Sequence, residues 1–170
     1  MKSTARRIGS ARWPTSWPPR VHRYRARLAL RKRPNGGGTE AIASRDDVEK
    51  LVRELKTEDV IAALNATCEY AVKLPAANGK SASIGFCWGG TMSFNYAVAQ
   101  PALNAAVVYH GTSPSAAEQM EKLGKSYTRH IYEGAGHGFL RAQDARNGAN
   151  LRASKQAWRA TIAFLREHTK

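Results

Sequence analysis

The stretch Ser83-Ile84-Gly85-Phe86-Cys87-Trp88-Gly89-Gly90 leaves this chain very few ways to fold. A short apolar run from Ser81 to Gly85 leads into it and predicts a strand. A helix-forming run follows from Gly89 to Ala99, stopped by Pro101. Between the two stands a cysteine with a glycine two places to either side. A chain that passes from strand to helix over so few residues must turn sharply, and the flanking positions then have no room for side chains. The residue at the tip is held strained and exposed at the carboxyl end of a sheet. There the helix dipole favours a thiolate at Cys87, and the Trp88 backbone N–H points to where an oxyanion would form.

The surrounding pattern supports a sheet. Ser44-Arg45-Asp46-Asp47 reads as a capping box, followed by Val48, Leu51, Val52 and Leu55 at helical spacing. Thr57 can cap a second helix with Ile61, Leu64, Cys68 and Val72 on one face; Cys68 reads there as a packing residue. Asn78-Gly79 makes a turn. Asn104 to Tyr109 reads as a buried strand, Ala116 to Leu123 as a helix stopped by Gly124, and Tyr127 to Tyr132 as a third strand. A last helix runs from about Leu151 to His168, with Leu151, Trp158, Ile162 and Leu165 expected inward. Strands alternating with helices predict an α/β fold, with a short parallel sheet flanked by helices.

Charge divides the chain. Of its net +14, residues 1–33 hold +11 and contain no Asp or Glu, whereas the rest is +3. That Arg/Pro/Trp-rich segment lacks sustained periodicity and reads as a disordered basic arm, separated by Asn35-Gly36-Gly37-Gly38 from a domain covering 34–170. Its arginines could hold phosphates while Trp13, Trp17 and Tyr24 stack on single strands, but no nucleic-acid reading motif is present. No apolar run approaches the ~20 residues of a membrane-spanning helix. Two cysteines make no disulfide framework and read as free thiols in a reducing, cytoplasmic compartment.

Three motifs in order, IGFCWGG at 84–90, VVYHG at 107–111 and YEGAGHGF at 132–139, resemble the dienelactone hydrolase family, carboxymethylenebutenolidase-like enzymes with the α/β-hydrolase fold. The resemblance implies hydrolysis of a small lactone or ester, with no metal or organic cofactor. It implies that Cys87 is the nucleophile and His137 the general base, and that Arg141 binds the substrate carboxylate. Independently, His137 lies in a glycine-rich loop that would let an imidazole swing toward a thiol. His110 follows a strand too and is expected to line the pocket, while His22, His130 and His168 read as solvated or packing residues.

The departures matter equally. The resembling enzymes order their triad as Cys, Asp, His, yet no aspartate stands between Cys87 and His137 here. Glu118, Glu121 and Glu133 are the acids in the interval, and only Glu133 is expected near the histidine. A strand and its acid loop look deleted. The first strands of the fold, with a second oxyanion donor, also lack a counterpart in 1–33, which looks like an unrelated fused start or another reading frame. The expectation is therefore a partial α/β-hydrolase fold with impaired turnover, and self-association through an incompletely covered core. A non-catalytic fragment or a basic nucleic-acid-binding polypeptide is the alternative. Closing the deletion predicts that Tyr127–Tyr132 pairs in parallel with Asn104–Tyr109, displacing His137 by one strand spacing, ~4.8 Å.

Overall fold

A computed structural model describes residues 44–111 and 115–170. The basic arm and the glycine-rich break at 35–38 lie outside the described residues. Seven elements follow in order: α1 (Arg45–Arg53), α2 (Thr57–Val72), β1 (Ala82–Phe86), α3 (Trp88–Ala99), β2 (Ala105–Tyr109), α4 (Ala116–Lys122) and α5 (Ala149–His168). Strands β1 and β2 pair in parallel with Ile84 opposite Val107 and Phe86 opposite Tyr109, and α3 is the crossover between them. The expected α/β architecture, a short parallel sheet with helices packed on it, is what forms. No helix among the described residues is long and apolar enough to cross a membrane.

Local chemistry explains the helix ends. The Ser44 hydroxyl accepts from the Asp47 amide at 3.2 Å and donates to its carboxylate at 2.8 Å, so Ser44 caps α1 as expected, through its hydroxyl. Thr57 does not cap α2. It is the first helical residue, and Lys56 takes the cap position without a side-chain bond. Beyond α4, the Gly124 amide reaches Glu121 O and the Lys125 amide Met120 O, with Gly124 at φ 63°, which returns the last carbonyls to hydrogen bonding.

Each face of the two strands carries its own core. On one side Phe94, Tyr96 and Ala97 of α3 pack with Leu103, Ala116 and Met120, and Ile61, Leu64 and Cys68 of α2 lie against them. Cys68 is thus a packing residue, as its spacing indicates. On the other side Tyr109, Phe139, Leu140, Ala153 and Ala157 form a second cluster, with Ile84, Phe86 and Val107 packed on it. The period-two alternation of a strand puts 84 and 86, and 107 and 109, on this same face. Helix α3 is pinned to the sheet by buried polar contacts: Ser93 Oγ lies 2.7 Å from Ser83 Oγ and donates to Val107 O at 3.2 Å.

Two further expectations fail. Tyr127–Tyr132 forms no strand and does not pair with β2; it runs without a ladder partner, with Ile131 73% exposed and Tyr127 46% exposed. A strand is stabilised by burying a face, and this one meets no apolar layer on the side of Tyr127 and Ile131. Phe139 instead covers Tyr109, rings edge to face at 6.2 Å, so side chains rather than a backbone ladder join this part of the chain to β2. The second correction concerns α5. Leu151 is exposed, and the buried face is Asn150, Ala153, Ser154, Ala157, Trp158 and Thr161. Small side chains let the helix approach closely, and the hydroxyl of Tyr109 bonds across to Thr161 Oγ1 at 2.6 Å and to Ala157 O at 3.2 Å.

Candidate active site

Cys87 sits at the turn between β1 and α3 with φ 54° and ψ −123°, a conformation that costs a non-glycine residue ~1–3 kcal/mol. The neighbours enforce it. A methyl group on Gly85 would lie 1.8 Å from the carbonyl oxygen of Gly89, so the strand end and helix start touch backbone to backbone. At Gly89 the expected crowding is absent, since a methyl there meets nothing within 4 Å; another crowded glycine is Gly90, where a methyl would lie 2.7 Å from Tyr109 O. The Cys87 amide donates to the same Tyr109 carbonyl at 2.9 Å, and the Cys87 carbonyl receives the Gly90 and Thr91 amides at 2.9 and 3.2 Å. The strained turn is therefore tied to the end of β2 as well as to α3.

The thiol is exposed, and its Sγ lies 3.3 Å from Nε2 of His137. The structure thus brings together the two residues that the motifs single out, across fifty positions of sequence. It does so without the third strand: the glycine-rich loop reaches the turn by itself. Trp88 opens α3 and is 39% exposed; its amide belongs to the first turn, whose N–H groups a helix cannot satisfy internally. Arg141 is exposed one turn beyond His137, and its Nη2 would lie 3.8 Å from a methyl on Gly138. No carboxylate bonds to His137 among the described residues, and Glu133 is exposed. No group of three or more His, Cys, Asp or Glu side chains is placed to hold a metal among them.

His110 stands behind the pair. Its backbone is left-handed at φ 55°, and its ring centroid is 4.9 Å from that of His137 and 5.0 Å from that of Phe139. Burial, and then the neighbouring His137, push its pKa below the ordinary value. The His110 ring thus packs against the rings of His137 and Phe139. Arg146, Asn150 and Ser154 were not singled out by sequence. Arg146 flanks the loop, its Nε 3.2 Å from a methyl position on Gly136. Asn150 and Ser154 bond to the loop backbone from α5. Nothing local marks them, because their partners are backbone groups several residues away.

A parallel strand–helix–strand unit with a strained cysteine at the turn and a histidine over it is the arrangement of an α/β hydrolase. Comparison with known proteins gives the family: the dienelactone hydrolase family matches residues 34–125 and 114–169, and the chain belongs to it. A Yersinia pestis protein named "Putative carboxymethylenebutenolidase" is 36% identical over 64 residues, a stretch covering 38% of this chain and 24% of that protein. The chain thus matches about a quarter of the length of that curated relative.

Proposed function

We propose that the chain is a cysteine-dependent hydrolase for small lactones or esters, with Cys87 as nucleophile and His137 as general base. The observation that carries this reading is the 3.3 Å contact between Cys87 Sγ and His137 Nε2 at a strained strand–helix turn. His137 takes the thiol proton, and the sulfur adds to the substrate carbonyl carbon. The Trp88 N–H donates to the oxyanion of the tetrahedral adduct. Collapse breaks the ester C–O bond, and the imidazolium returns its proton to the leaving oxygen, which in a lactone stays tethered to the acyl group. Water, deprotonated by His137, then hydrolyses the thioester and regenerates the thiol. The guanidinium of Arg141 fits a substrate carboxylate. None of these steps requires a cofactor.

Turnover is impaired in this reading. Loss of the acid that orients a catalytic histidine costs about 10⁴-fold. The unit responsible is the one starting at residue 34, with 1–33 a separate segment. Hydrolysis of p-nitrophenyl acetate and of a dienelactone, followed beside Cys87→Ala and His137→Ala, tests it. A slow turnover, or a single acylation burst, that both substitutions abolish is expected. Hydrolysis that survives Cys87→Ala would refute the assignment.

A further inference from the structure

The loop bearing His137 contains Gly134, Gly136 and Gly138 and no regular secondary structure, and His137 itself is exposed. Such a segment has many accessible conformations, yet the Sγ–Nε2 contact tolerates only a small displacement. What holds the loop is on α5. Asn150 is 2% exposed and lies in the first turn of that helix. Its Oδ1 accepts from the Gly136 amide at 2.9 Å, and its Nδ2 donates to Ala142 O at 2.6 Å. Ser154, one turn further and 5% exposed, donates to Phe139 O at 3.1 Å and shares its hydroxyl with Asn150 O at 2.7 Å. Both side-chain bonds of Asn150 among the described residues go to this loop, one immediately before His137 and one after it. Between them the Phe139 ring is anchored against Tyr109 and the alanines of α5.

We propose that Asn150, assisted by Ser154, is the positioning residue for His137. It clamps the backbone on both sides of the histidine and so holds the imidazole over Cys87, in a chain where no described carboxylate does. The role differs from that of a triad acid. Asn150 fixes the loop rather than the ring nitrogen, so it supplies position without charge. The proposal rests on the reading of Cys87 and His137 as the reacting pair, and the test separates the two.

The test compares the full chain with His137→Ala, Asn150→Ala, Ser154→Ala and Thr161→Val, each shown by circular dichroism to melt cooperatively. Two signals are read at neutral pH: the ultraviolet absorbance of the Cys87 thiolate, in a Cys68→Ala background, and the rate of its alkylation by iodoacetamide. His137→Ala comes first. If it leaves both signals at the wild-type level, the pair itself is wrong. If it lowers them, by about tenfold as a histidine-paired thiol would, Asn150→Ala is expected to fall to the same level and Ser154→Ala between. Thr161→Val removes a buried hydroxyl contact of the same helix, to Tyr109, that does not touch the loop; it is expected to keep the wild-type signals. Wild-type signals in Asn150→Ala, or an equal loss in Thr161→Val, overturn the positioning role. Should Asn150→Ala not fold, Ser154→Ala decides: wild-type signals there overturn the proposal.

Discussion

The imidazole rings of His110 and His137 lie 4.9 Å apart, tilted by 47°, one at the end of β2 and the other in the glycine-rich loop. The burial of His110, and then this proximity, make stability depend on pH. Burial first, and His137 second, lower the pKa of His110 in the folded chain from its ordinary 6.5. The unfolded chain therefore takes up the proton first as pH falls. The stabilisation is complete above the unfolded value and is lost as pH drops toward the lower folded one. Thermal melts across that window are expected to show Tm falling with pH, with a shallower slope in His110→Asn. A slope unchanged by that substitution would contradict the assignment.

Gly85 and Gly89 look equivalent in sequence but are expected to respond oppositely. Gly85→Ala drives a methyl to 1.8 Å from a backbone oxygen, so strand or helix must move, at a cost of about 3 kcal/mol or more. Gly89→Ala places a methyl in open space within α3, where alanine is favoured over glycine by ~0.5–1 kcal/mol. Urea denaturation of the two variants measures both signs.

The two free cysteines should differ in reactivity. Cys87 is exposed beside His137, whereas Cys68 is half-buried against the Phe94 cluster. Limited iodoacetamide treatment followed by peptide mass spectrometry is expected to show Cys87 modified at least about tenfold faster. Equal labelling would remove the ground for treating Cys87 as activated.

Tyr109→Phe keeps the ring stacked on Phe86 at 5.0 Å but deletes the hydroxyl that meets Thr161 and Ala157 O. Leaving a buried threonine hydroxyl short of a partner is expected to cost ~1–2 kcal/mol. The double variant Tyr109→Phe with Thr161→Val should recover part of that loss in the same denaturation assay.

Where a feature depends on neighbours in sequence, it was legible there. The Ser44 cap, the turn at Cys87 with its crowded Gly85, and the end of α4 at Gly124 each involve groups within a few residues, so residue type decides them. The family motifs likewise lie in short contiguous stretches, and they pointed to both members of the Cys87–His137 pair. The third strand was misread because Tyr127–Tyr132 has strand-forming residues but no apolar layer over Tyr127 and Ile131, and propensity alone does not supply one.

The sequence by itself determined the strand–turn–helix, the parallel α/β arrangement, and which cysteine and histidine the motifs single out, because local sterics and side-chain chemistry are carried by the residues themselves. Only the tertiary structure decided that Gly90 rather than Gly89 is crowded at the end of β2, that α5 turns Asn150, Ala153 and Ala157 inward instead of Leu151, and that Asn150 grips the loop of His137. Those outcomes depend on how closely distant segments approach, and the identity of the residues involved does not encode that distance.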